Sequence, residues 1–260
     1  MAAKNKFMNA MKMPAIADMF SSEADRQRES GDLVTEVPLS ELHPFVNHPF
    51  EVRDDEDMQK LVDSIKENGV LTNLTVRPRA EGGYEIISGH RRFHAAQLAG
   101  LDKIKVQVRD VDDDQAIIDM VDANIQREHI SPMEKARALK MKNEAMKRSA
   151  GRRKENGCQL DTHFPEAKTA TQIGADVGES PKQIFRYIRL NELIPELQKK
   201  VDSNTLKFNP AVELSYLTPD EQQSFLDYAE AQDCTPSLSQ AQKLKAASKE
   251  GTLTLDKLEE

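Results

Sequence analysis

Apolar positions in the first half of the chain switch between two periods. Met58, Leu61, Val62 and Ile65 recur at helical spacing before Gly69 closes the segment. Ile104, Val106 and Val108 alternate in the two-residue period of a strand. Further short strands are predicted at Glu36-Val37-Pro38-Leu39, around Leu71, Leu74 and Val76, and at Tyr84-Glu85-Ile86-Ile87 after the turn pair Gly82-Gly83. Phe93, Ala96 and Leu98 then predict a helix that ends at Gly100, while His43-Pro44 and His48-Pro49 read as loop. The alternating pattern ends near Val111, and Ile117, Ile118, Val121 and Ile125 mark one face of a helix from Asp114 to Arg127.

Beyond that point every signal is helical. Ser131-Pro132-Met133-Glu134 combines a serine cap, a proline in the first turn and a glutamate three residues after the cap, opening a helix to about Ala150. A polar loop reaches roughly to Phe164. Helices follow at Thr169 to Val177, Pro181 to Leu190, Pro195 to Val201, Pro210 to Leu217 and Pro219 to about Ala231, the last opened by Thr218 and Glu221 as a second capping box. The predicted class is α+β, with a mobile arm at 1–31 that holds a short helix around Met8 to Phe20. A small mixed α/β domain is expected at 32–127, a helical domain at 128–233, and a C-terminal helix with an acidic tail at 234–260.

Composition narrows the class. A chain of 260 residues holds about two domains, and 38% hydrophobic with 31% charged residues and no tryptophan fits a soluble protein. No apolar run is long enough to span a membrane, and no apolar block follows Lys4, Lys6 and Lys12 to make a secretory signal, so a cytoplasmic location is expected. Cys158 and Cys234 are too far apart in sequence to suggest a zinc site or a disulfide framework. His90 and His94 share a helical face without a visible third ligand. The net charge of -8 argues against nucleic acid only on average, because acid gathers in Asp54-Asp55-Glu56-Asp57, Asp112-Asp113-Asp114 and the C-terminus. The stretch from Lys135 to Arg189 is rich in Lys and Arg, which is an electrostatic footprint for DNA.

Two segments carry candidate chemistry. At Ser88-Gly89-His90-Arg91-Arg92 a strand turns into a helix, and a helix N-terminus flanked by arginines suits a polyphosphate. From Thr169 to Leu190 the chain reads as helix, glycine turn, helix, with Ile173, Val177, Ile184 and Ile188 facing inward. That places Lys182, Gln183 and Arg186 outward and Ser180 at the cap of the second helix, and adds Thr171, Gln172 and Arg189 as candidate DNA contacts.

Taken in order, these pieces resemble the ParB family of DNA-partition proteins from about Val34 to Asp233. Gly89-His90-Arg91-Arg92-Phe93-His94-Ala95-Ala96 resembles the family's Gly-Glu-Arg-Arg-x-Arg-Ala box, and Ala123-Asn124-Ile125-Gln126-Arg127 resembles its Glu-Asn-x-x-Arg box. His48-Pro49-Phe50-Glu51-Val52-Arg53 sits where the family has Asn-Pro-x-Gln-Pro-Arg, and Gly69 to Leu74 where it has a Gly-x-x-x-Pro phosphate loop. The resemblance implies a ParB/sulfiredoxin-like N-terminal domain that binds CTP with Mg²⁺, and a helix-turn-helix that binds a centromere-like site in double-stranded DNA. It also implies a homodimeric clamp that slides on DNA, and a ParA-type ATPase as partner, reached through the N-terminal arm. Arg91, Arg92 and Gly89 would hold the triphosphate, Asn124 would coordinate Mg²⁺, and Arg127 would add charge near the phosphates. Gly69, Thr72, Asn73, Ser88, His90 and Gln126 fall at the same nucleotide by that resemblance. Location in the cytoplasm, associated with nucleoid or plasmid, follows from it.

The sequence departs from the family at the reacting phosphate. Glu51 replaces a glutamine and Ala123 a glutamate, which makes Glu51 the one candidate catalytic side chain and leads us to expect slow CTP hydrolysis or almost none. Asn73 stands in place of the loop proline, and His90 and His94 in place of glutamate and arginine. After Ser237 the chain has one amphipathic helix, Leu238 to Ser248, and an acidic tail, where the family usually has a compact dimerisation domain. Two readings compete: a helix-turn-helix repressor without nucleotide switching, and a small-molecule kinase on the same scaffold.

Overall fold

The computed structural model describes residues 33–127, 130–154 and 165–253. The expected N-terminal arm, the polar segment with Cys158, and the acidic tail lie outside the described residues. The described residues form two compact units: one comprises 33–43 and Glu56–Asp110, the other Pro44–Asp55 with 111–127, 130–154 and 165–253.

The first unit is a five-stranded mixed sheet with two helices. Its elements are β1 (Leu33–Pro38), a 3-10 turn at Leu39–Glu41, β2 (Leu42–His43), α1 (Glu56–Asn68), β3 (Leu74–Pro78), β4 (Tyr84–Ser88), α2 (His90–Ala99) and β5 (Lys103–Val108). The strand order is β1-β5-β3-β4-β2, antiparallel between β1 and β5 and between β3 and β4, and parallel in the other two pairs. Alternation explains the core: Leu74, Val76, Ile86 and Val106 are fully buried together with Phe93 and Ala96 of α2. Burial of each of these side chains larger than alanine contributes about 1.5–3 kcal/mol. On the same pair of strands Arg77 and Glu85 lie opposite each other and form a nearly buried ion pair at 2.6 Å. Leu71, expected at a strand, stands outside β3 and is 83% exposed; it belongs to the loop that closes α1.

Among its described residues the second unit is helical. It contains α3 (Asp113–Asp122), α4 (Pro132–Lys154), α5 (Pro165–Val177), α6 (Pro181–Arg189), α7 (Pro195–Asp202), α8 (Phe208–Leu214), α9 (Pro219–Ala231) and α10 (Leu238–Lys249). Both expected capping boxes form: Ser131 and Glu134 exchange hydrogen bonds at the start of α4, as do Thr218 and Glu221 at α9. A core of Met133, Leu190, Leu197, Leu206, Leu214 and Phe225 joins α4 to the C-terminal helices.

Several boundaries differ from expectation, among them the start of α5, which lies at Pro165 instead of Thr169. α3 stops at Asp122 rather than Arg127, because Asn124 turns its amide back on the helix, donating from Nδ2 to the Met120 carbonyl at 2.7 Å. α4 runs through Gly151 to Lys154, a glycine being tolerable in a helix at about 1 kcal/mol. α8 starts at Phe208 with Pro210 inside its first turn, where no amide hydrogen is needed, and ends at Leu214.

Candidate nucleotide and nucleic-acid sites

In the first unit, Ser88 ends β4 and Gly89 caps α2 in a left-handed conformation with φ of 106°. Only glycine fits: a Cβ there would stand 2.9 Å from Leu74 Cγ and 3.3 Å from Arg92 Nη2. α2 follows at once, with His90 buried and Arg91 half-buried in its first turn. Arg92 does something the sequence did not indicate. Its Nη1 donates to the carbonyls of Thr72 and Asn73 at 2.6 and 2.8 Å, so it ties the 69–73 loop to α2. Burial lowers its pKa from the ordinary guanidinium value. Thr72 and Asn73 meet Arg92 through their backbone, while Gly69 ends α1 by donating to the Ile65 carbonyl at 2.9 Å.

The remaining nucleotide candidates lie in the second unit. Asn124 is 2% exposed, and the bond from Nδ2 to Met120 fixes which end of the amide is oxygen, since a carbonyl only accepts. Its Oδ1 accepts no hydrogen bond among the described residues. An amide oxygen of this kind suits Mg²⁺, which takes few protein oxygens and completes its shell with phosphates and water. The Arg127 guanidinium lies 6.0 Å from the Phe50 ring centroid. Gln126 donates from Nε2 to the Asp176 carbonyl at 3.3 Å, which links the Asn124–Arg127 turn to α5. Glu51 is exposed; its carboxylate accepts from Arg53 at 2.9 Å and its backbone amide donates to Glu134 at 2.8 Å. His48, next to it, donates from Nδ1 to the Phe50 carbonyl at 2.7 Å, and burial lowers its pKa despite that bond.

α5 and α6 form the helix-turn-helix. Gly178 and Glu179 make the turn, the Glu179 amide donates to the Gly174 carbonyl at 2.8 Å, and Ser180 caps α6 by accepting from the Gln183 amide. Ile173 and Ile184 are fully buried and Val177 and Ile188 half-buried, as the spacing predicts. Gly174 is required by proximity, since a Cβ there would run into the Glu179 carbonyl oxygen well inside contact distance. Lys135 holds the turn through Glu179 at 2.8 Å.

Thr171, Gln172, Ser180 and Lys182 are exposed, and Gln183 is half-buried. Arg186 is braced by Gln183 at 3.1 Å and Asn209 at 2.5 Å over the Phe208 ring. Arg189 donates to the Ser215 carbonyl at 2.8 Å and lies over Tyr216, so part of its hydrogen bonding serves the fold. Sequence reasoning missed Lys142. It is 1% exposed in α4 and bridges Asp122 of α3 and Asp176 of α5 at 2.6 and 2.7 Å. It also missed Phe185 and Tyr216, which with Lys182, Arg186, Ile188, Arg189 and Glu192 line a surface cleft of about 660 Å³.

Residues 23–125 match the model of the ParB N-terminal domain. A chromosome-partitioning protein Spo0J from Thermus thermophilus is 28% identical over 193 residues, covering 74% of this chain and 64% of that protein. A probable chromosome-partitioning protein ParB from Neisseria meningitidis serogroup A is 39% identical over 193 residues, covering 74% and 60%. The chain thus matches less than two thirds of the length of these relatives. Among solved structures, a pNOB8-like ParB N-domain overlays 87% of this chain and 93% of its own with a TM-score of 0.50 at 15% identity, a likeness of fold. Residues 23–125 thus carry a ParB N-terminal domain, and with the glycine–arginine junction, the Asn124–Arg127 turn and the helix-turn-helix in that family's order the chain is similar to ParB partition proteins over about three quarters of its length.

Proposed function

We propose that this chain is a DNA-partition protein whose helix-turn-helix binds a centromere-like duplex site and whose N-terminal domain binds CTP with Mg²⁺. The observation that carries the nucleotide reading is the Gly89 junction: a left-handed glycine opens α2 behind a strand, with Arg91 and Arg92 in its first turn. Arg91 is the side chain for the phosphates, while Arg92 holds the 69–73 loop in shape for them. Asn124 would supply an amide oxygen to Mg²⁺ and Arg127 further positive charge. The metal would neutralise phosphate charge. Nucleotide binding would switch a homodimeric clamp on DNA, and a ParA-type ATPase would be its motor partner. With the Glu51 carboxylate held by Arg53, turnover is slow or absent.

The test is calorimetric titration of CTP, ATP, GTP and UTP with Mg²⁺ against the wild type and Arg91→Ala. CTP-selective binding that is lost in the variant supports the reading. Absence of binding by any nucleotide refutes it and leaves a helix-turn-helix repressor.

A further inference from the structure

Phe185 is 39% exposed on α6, a helix whose apolar face is complete without it. Ile184 is fully buried, Ile188 half-buried, and Tyr187 packs its ring 4.8 Å from that of Phe208. At about 100° per residue, Phe185 falls with Lys182 and Arg189 on the side turned away from Ile184. All three line the cleft that also holds Arg186 and Tyr216. The 39% of Phe185 that stays in water leaves that share of its burial free energy ungained until a partner covers the ring. The cations beside it select a polyanion as that partner. On the base edges of a DNA major groove the apolar group is the thymine 5-methyl.

We propose that Phe185 packs against a thymine methyl group in the major groove and is a specificity-determining residue of the helix-turn-helix. This rests on the DNA-binding reading above. Lys182 and Arg186 anchor the helix through phosphates or base edges, and Phe185 selects thymine at one position of each half-site.

Duplexes are first selected from a random pool by the full chain, and each thymine of the resulting site is then replaced singly by deoxyuridine, which lacks only the methyl. At one position the wild type should lose about four-fold in affinity, the worth of one buried methyl. F185A, folded by circular dichroism, should bind more weakly and no longer distinguish thymine from uracil there. If no sequence is enriched from the pool, the DNA reading fails and this assignment with it. If a site is enriched but every uracil is tolerated, or F185A loses as much as the wild type at the same position, the assignment to Phe185 fails while the DNA reading stands. Loss of self-association by F185A in light scattering, with base discrimination intact, would place the ring in a protein interface and overturn the proposal.

Discussion

Replacing Gly174 by alanine sets two effects of opposite sign against each other. Gly174 lies inside α5, where alanine is favoured over glycine by about 1 kcal/mol, so propensity alone predicts a more stable protein. The added Cβ would meet the Glu179 carbonyl oxygen, with the Glu179 carbonyl carbon and Pro181 nitrogen both 3.5 Å away. These are backbone atoms, which cannot rotate aside as a side chain would. Retreat of the turn would stretch the Glu179 amide bond to the Gly174 carbonyl, worth about 0.5–1.5 kcal/mol, and would pull on the Lys135 pair. Overpacking itself costs about 1–3 kcal/mol. The net is a loss of about 1–3 kcal/mol, with weakened DNA binding because α6 is set by this turn. Gly178→Ala is the comparator: φ is 71° there but the space is open, so only the left-handed backbone is penalised, at about 1–2 kcal/mol. Urea unfolding followed by far-UV circular dichroism measures both. A G174A protein as stable as the wild type, or more so, would refute the argument from close approach.

Arg92→Lys keeps the charge but cannot span both carbonyls in the same fork. It should destabilise by about 1–3 kcal/mol in urea unfolding, and an unchanged midpoint would show that the bonds to Thr72 and Asn73 contribute nothing. Lys142→Met should cost about 1–3 kcal/mol, less than a fully buried pair because Asp122 and Asp176 are each 45% exposed, and adding D122N and D176N should restore most of it. For His48 the folded pKa lies below its ordinary 6.5, so between the two values the unfolded chain binds the proton and the folded chain does not. Stability is therefore full above about pH 6.5 and declines on acidification by at most about 1.4 kcal/mol per pH unit from this group. His48→Gln should remove that part of the slope; an identical pH profile would count against it.

The local parts of this chain were readable. Capping boxes, the strand that meets a glycine before α2, and the helix–turn–helix spacing are all written within a few residues, and the structure forms each of them. What escaped notice depends on partners far away in sequence. Arg92 reads as a phosphate ligand, and nothing local shows that it also ties down the carbonyls of Thr72 and Asn73, twenty and nineteen positions earlier. Lys142 reads as one of many solvated lysines, because nothing local indicates that Asp122 and Asp176 converge on it. Phe185 went unnoticed because an aromatic in a helix reads as core, and only its exposure separates it from a core residue.

The assignment of Pro44–Asp55 to the helical unit means that the polypeptide passes between the two units at three places, 43/44, 55/56 and 110/111. No single cut yields both units intact. A fragment ending at Asp110 would carry Phe45 and Phe50, at 7% and 4% exposure in the whole chain, without the helices they are grouped with. A fragment beginning at Val111 would lose the Glu51 amide that donates to Glu134 at the start of α4. Gene dissection of this protein should therefore remove or graft the 44–55 excursion, since two-piece expression would strand apolar surface on one half and leave the Glu134 carboxylate with the Ser131 amide alone on the other.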